Sequence, residues 1–341
     1  MADSVTAEST RPDQAGSVGG PTPEGPGSRR FGATALLRSY GSLIALVVLV
    51  IYGSTTNGSF FTITNAENVI TQNSSLALIA FGLTLLIAAG EFDLSVGATY
   101  ALCSVVFAEM ANHMPTVLAA ILTLAIGAIA GIINGVLVTR LNINSFIATL
   151  ATGLAFTGVA YLISNGQAIY VTKADFTALG TGTLGTIPLI VIVVAAVLII
   201  AEFLIRRTVF GIHLRAIGGN RNAAYLTGLR VNLNVVIAFA IVGLCGALAA
   251  LCRTSQLGVG QVDSSAGTLA LNGIAVVVIG GTSLRGGEGS ALRTVIGFLL
   301  ISVLQNIFDI LALSSYWSLI VSALVIIGAV AIDTIGSRRR A

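Results

Sequence analysis

The chain has 341 residues, of which 55% are hydrophobic and only 9% charged, whereas about a quarter of the residues in a soluble domain carry charge. Its mean hydropathy is +0.95, and its apolar runs match the ~20 residues an α-helix needs to cross a bilayer without the alternation of a membrane β-barrel. The net charge of +3 comes from arginines that follow the ends of those runs, so it describes topology and not a nucleic-acid-binding face.

The expected fold is therefore an all-α polytopic membrane protein. Residues 1–33 are rich in Pro, Gly, Ser and acidic side chains and contain no apolar segment. They read as a disordered cytoplasmic tail and not as a cleavable signal peptide. A transmembrane domain spans 34–335, and a basic tail, 336–341, follows. About ten membrane helices of bilayer length fit the domain, at 36–54, 69–89, 94–112, 115–137, 144–164, 185–204, 234–252, 270–283, 289–311 and 317–333. Lys and Arg are retained in loops on the cytoplasmic side. With both termini inside, Arg29, Arg30, Arg38, Arg140, the loop 206–232, Arg285 and Arg338 to Arg340 lie there, leaving Lys173 and Arg253 outside.

Within the spans, Gly127, Gly131 and Gly135 make a small-residue ridge at helical spacing that lets a second helix approach closely. Gly90, Leu94 and Gly97 of GEFDLSVG return as Gly280, Leu284 and Gly287 of GGTSLRGG. Both stretches follow an apolar run and lead into another, the pattern of transporters built from repeats with broken helices. Cys103, Cys245 and Cys252 lack metal-ligand spacing and read as buried thiols.

Catalytic motifs are absent. There is no phosphate-binding GxxxxGK[ST], no HExxH around His113 or His213, and no GxSxG. Among carboxylates near the spans, Glu91, Glu109 and Asp309 read as solvated at the interfaces. Asp93 is placed to cap the helix that starts at Leu94. Asn73, Asn134, Asn272 and Asn306 offer donors and acceptors without charge at membrane depth. Each is either helix-packing glue or a contact for an uncharged hydroxylated solute.

The longest polar interruption is 206–232, with Arg206, Arg207, Arg215, Arg221 and Arg230 and no acidic residue. Asn220 is an N-cap, Arg221 to Thr227 can form two helical turns, and Gly228 suits the left-handed residue that ends them. Such a capped helix either rests on lipid headgroups or engages a cytoplasmic partner.

Gly218 to Leu229 (GGNRNAAYLTGL) resembles the corresponding loop in permease subunits of bacterial ABC importers for simple sugars, relatives of the branched-chain amino acid permeases. Gly90 to Gly97, Ser145 to Thr152 (SFIATLAT) and Ile274 to Ser290 (IAVVVIGGTSLRGGEGS) are similar to that family's other motifs, in the same order. The resemblance covers about 40–335. It implies a non-catalytic subunit of the bacterial inner membrane that works with a second permease copy, two ABC ATPase subunits and an extracytoplasmic sugar-binding protein. ATP and Mg2+ would be used by the ATPase, with no cofactor bound by this chain. The coupling helix would involve Gly218, Gly219, Asn220, Ala223, Ala224 and Gly228, with Ala223–Ala224 as its working face. Gly90, Gly97, Gly280, Gly281, Gly286 and Gly287 would be structural glycines of the two motif loops. Asn73, Asp93, Asn272 and Asn306 would line the substrate path. Departures from the family pattern stand at Glu91, Phe92, Ala270 and Arg293. A permease for nucleosides or branched-chain amino acids, and an ion-coupled transporter working alone through Asp93, are the competing readings.

Overall fold

A computed structural model describes residues 33–56, 58–262 and 266–313, together with positions 317, 320, 321, 323, 324 and 327. The chain runs through α1 (Ala33–Thr56), α2 (Ile63–Gln72), α3 (Ser74–Ala88), α4 (Val96–His113), α5 (Thr116–Arg140) and α6 (Ser145–Ser164). A short outer region follows, with β1 (Ile169–Tyr170), α7 (Ala178–Thr181), β2 (Thr183–Leu184) and β3 (Ile187–Pro188). Then come α8 (Leu189–Arg207), α9 (Val209–Gly219), α10 (Arg221–Leu226), α11 (Val231–Leu257), β4 (Val259–Gly260), α12 (Ala266–Ile279) and α13 (Ala291–Ile310). The strands form two antiparallel pairs, β1 with β4 and β2 with β3.

Among the described residues, five helices (α5, α6, α8, α11 and α13) are individually long and apolar enough to cross a membrane. The pair α2–α3, bent by 60° at its break, makes a sixth. The protein is thus a mostly helical multi-pass membrane protein. Nine of the expected spans fall on α1, α2–α3, α4, α5, α6, α8, α11, α12 and α13. The expected span 317–333, isolated positions aside, and both tails lie outside the described residues.

The centre of the fold is α3, all fifteen residues of which are buried. Its sequence, SSLALIAFGLTLLIA, is apolar all round, which suits a protein core or a bilayer, and here it is protein that covers it. The glycine ridge of α5 lies against α11, as its spacing predicts. A Cβ on Gly131 would meet the Phe239 carbonyl oxygen at 2.1 Å, and one on Gly127 would meet Ala247 Cβ at 2.4 Å. By contrast α6 and α8 turn Leu154, Leu162 and Ile199 outward, a face suited to lipid. Cys103, Cys245 and Cys252 are buried free thiols.

Two features were not expected. The span at 69–89 breaks at Asn73, where α2 and α3 meet. The interruption 206–232 is mostly helical, because α9 occupies its first half. Thr208 caps α9 by accepting a bond from the Gly211 amide at 3.2 Å.

Candidate functional site

The helices α9 and α10 form a knob at one end of the bundle. Asn220 Oδ1 accepts a bond from the Ala223 amide at 2.9 Å, which fixes the start of α10 as its sequence predicts. At the other end Gly228 has φ +82°, and the Leu229 amide donates to the Ala224 carbonyl at 3.2 Å. A residue with a Cβ is strained in that left-handed conformation. The expected working face needs one correction. Ala224 is only 4% exposed and packs into the core, whereas Tyr225 and Leu226 are 72% and 84% exposed. Together with exposed Ala223, they make the outer surface of the knob. Their signal was present in the sequence as two large apolar residues closing a capped helix that no second helix covers.

The knob meets the core at a joint of backbone on backbone. A Cβ on Gly218 would lie 2.1 Å from the Ala88 carbonyl oxygen and 2.5 Å from the Gly287 amide nitrogen, while one on Gly219 would meet nothing within 4 Å. The Gly287 amide donates to the Ala88 carbonyl at 3.0 Å. Gly286 is equally tight, since its Cβ would lie 2.8 Å from the Gly90 nitrogen and 2.9 Å from Gly218 Cα. The two motif loops that echo each other in sequence therefore touch one another, and Gly218 touches both. Gly97 and Gly280 instead admit neighbouring backbone, from Ala266 and Arg293 respectively.

Between α3 and α4 the chain is not helical from Ala89 to Ser95. Its polar groups are satisfied from α5 and α6. The Phe92 amide donates to Ser145 Oγ at 3.3 Å, and the Leu94 amide donates to Thr149 Oγ1 at 3.1 Å. Asp93 lies two residues before Ser95, after which α4 starts at Val96, and its carboxylate takes the Ser95 and Val96 amides at that end. Its Oδ1 accepts the Ser95 amide and hydroxyl at 2.8 and 2.6 Å, folding the break into a turn. Asn134 donates to Ser95 Oγ at 2.7 Å and accepts from the Thr152 hydroxyl at 2.6 Å. Glu91, expected to be solvated, is buried and paired with Arg221 at the start of α10. Asp309 does lie at an exposed position, while Glu109 is half-buried and pairs with His113 at 3.1 Å.

Of the four polar residues expected along a path, two come together. Asn73 and Asn272 line a cavity of about 190 Å³ with Gln72, Ser75, Tyr100, Arg253, Thr268 and Gln305. That is the space of roughly six waters at ~30 Å³ each. Asn306 is elsewhere, exchanging reciprocal amide bonds of 2.9 and 3.1 Å with Asn65. Asp93 lines neither this cavity nor a second one, of about 310 Å³, between Glu91, Val138, the turn 142–145 and Arg221. Ser75 and Ala88 are thirteen residues apart on α3, about 20 Å at 1.5 Å per residue. The first cavity and the glycine joint thus lie at opposite ends of one buried helix.

Residues 65–330 match the family model described as branched-chain amino acid transport system / permease component. The chain is 37% identical to the ribose import permease protein of Haemophilus influenzae, over 86% of its own length and 92% of that protein. It is 38% identical to the ribose import permease protein of Bacillus subtilis, with 89% and 95% covered. With the D-allose transport system permease protein of Escherichia coli the identity is 35%, with 88% and 92% covered. No solved structure matches the chain.

Proposed function

The chain belongs to the branched-chain amino acid transport system / permease component family, and we propose that it is the membrane subunit of an ATP-driven importer for a monosaccharide. The observation that carries this reading is the similarity to sugar permeases along nearly the whole chain. The polar cavity agrees with it. Side-chain amides, hydroxyls and one guanidinium line it, and such groups recognise hydroxyls by hydrogen bonding without needing a charged substrate. We place Asn73, Asn272, Gln72, Gln305 and Arg253 on the sugar's route and remove Asp93 and Asn306 from it.

Energy would come from ATPase subunits bound at α9–α10. Tyr225 and Leu226 would enter a cleft on the ATPase, on the cytoplasmic side where the arginines of 206–232 place this loop. A second permease copy and an extracytoplasmic binding protein would complete the importer in the bacterial inner membrane. Polar residues lining irregular backbone at depth support alternating access around a central path.

The decisive experiment is uptake of labelled ribose and allose into proteoliposomes that contain the permease and the ATPase encoded with it, with the binding protein added outside. Uptake should require internal-face ATP and the binding protein. Uptake that continues without the ATPase and collapses with a proton gradient would refute the importer reading in favour of a secondary transporter.

A further inference from the structure

We propose that the Glu91–Arg221 ion pair is a releasable latch on the coupling helix, and that the glycine joint beside it is the pivot about which the latch opens. The proposal rests on the reading above that α9–α10 receives force from an ATPase subunit. It names the pair that passes that force into the break between α3 and α4.

Besides Leu214, Ile217 and Ala224, which pack into the core, two ties of opposite character join the knob to the break between α3 and α4. At the joint, Gly218, Gly286 and Gly90 bring backbone against backbone, and a single added Cβ on Gly218 or Gly286 would fall inside 3 Å of its neighbours. A contact that close has no slack, so motion there is restricted to rotation about it. At Arg221 the tie is one ion pair between side chains 130 positions apart in sequence. Beside it lies open space of about 310 Å³, into which the two groups can part without displacing packed atoms.

The surroundings also supply a second stable arrangement. The Glu91 side chain is 8% exposed and that of Arg221 is 43% exposed. A buried carboxylate that loses its cation must find other donors or water. Asn142, Asn144 and Ser145 rim the cavity and offer amide and hydroxyl donors, with room for water between them. The pair therefore has a closed state, with the charges in contact, and an open state, with the carboxylate hydrated against that rim.

Separation at Glu91 acts on the break between α3 and α4. Glu91 follows Gly90 of the joint and begins the segment whose amides at Phe92 and Leu94 are held by Ser145 and Thr149 of α6. Pulling Arg221 away frees the first residue of that segment while the joint keeps α9 in place. A force on α10 is thereby converted into opening of the break, the kind of non-helical backbone that lines a path in other transporters.

The test uses the complete importer, with Glu91→Cys and Arg221→Cys joined by a bifunctional maleimide that carries a reducible disulfide in its spacer. Cys103, Cys245 and Cys252 are buried, and a chain without the added cysteines controls for them. Cross-linking should lower sugar uptake roughly tenfold, within the ordinary range of coupling between sites, without releasing the ATPase. Reductant should restore uptake. Glu91→Gln and Arg221→Gln, which need no cross-link, should each raise the ATP hydrolysed per sugar imported by a similar factor. Cross-linked protein that transports as fast as uncross-linked protein would overturn the latch, as would Gln variants with unmodified stoichiometry. Failure of the unmodified complex to bind the ATPase or to use ATP would overturn the importer reading instead, which keeps the two outcomes apart.

Discussion

Gly218 and Gly219 are consecutive residues in the last turn of α9 with opposite surroundings, and substituting each by alanine tests the joint. A Cβ at 218 would face the Ala88 oxygen at 2.1 Å, where real contacts do not fall below 3.0 Å, so α9 has to move off α3. Overpacking of this kind costs about 1–3 kcal/mol. Weakening the bond from the Gly287 amide to the Ala88 carbonyl adds about 1 kcal/mol. Helical preference for Ala over Gly returns up to ~1 kcal/mol at either position. The expected balance is therefore a loss of about 1–3 kcal/mol for Gly218→Ala and no loss, or a small gain, for Gly219→Ala, which meets nothing within 4 Å. Heating the detergent-solubilised proteins and following the monodisperse peak by size exclusion should separate their midpoints by roughly 5 °C, at a few degrees per kcal/mol. ATP-dependent uptake should be lost in Gly218→Ala and kept in Gly219→Ala. Indistinguishable midpoints, or a less stable Gly219→Ala, would show that the backbone contact at Gly218 is not the joint.

Asn220→Ala should fray α10 at a cost of about 1 kcal/mol, while Asn220→Asp keeps the acceptor for the Ala223 amide. Proteolysis within 218–228 should quicken in the first and not in the second. Leu226→Asp changes an 84% exposed residue, so stability should move by no more than about 0.5 kcal/mol, yet co-purification of the ATPase should fall sharply. For the reciprocal Asn65–Asn306 pair, Asn306→Leu leaves one amide without its partner and should cost about 1–3 kcal/mol. Adding Asn65→Leu should cost less than its own single substitution does, a non-additivity that a double-mutant cycle in thermal stability would read directly.

Much of this was legible in the sequence because the relevant forces are local or periodic. A bilayer demands continuous apolar length, so the expected spans among the described residues fall on helices. Five of these, or six with the bent pair, are long and apolar enough to cross among the described residues. The cap at Asn220 and the left-handed Gly228 depend only on neighbouring residues, and both ends of α10 follow them. The ridge Gly127–Gly131–Gly135 announced a close approach because Cβ atoms are absent at a helical repeat. What could not be read was which distant element fills each gap. Glu91 looks like an interfacial carboxylate until the fold brings Arg221 beside it. Asn306 looks like a path residue until Asn65 arrives from α2. Ala224 and Tyr225 are adjacent letters, and only the tilt of α10 against the core decides which is buried.

The placement of α3 gives these separate features a common cause. Its first turn supplies Ser75 and Leu76 to the polar cavity, and the Ala88 carbonyl at its end receives the Gly287 amide. With every residue between them buried, the helix has no soft surface along which to yield, since packed interiors rearrange as units and do not compress. Rotation about the joint therefore reaches the cavity as movement of a rigid element about 20 Å long. The break at Ala89 to Ser95 has the opposite property, being non-helical and held to α6 by single side-chain bonds. A rigid helix and a releasable segment leave the same point, Ala88, in opposite directions. Under the proposed latch, motion of α10 would open the break on one side while α3 carries the change to the far cavity.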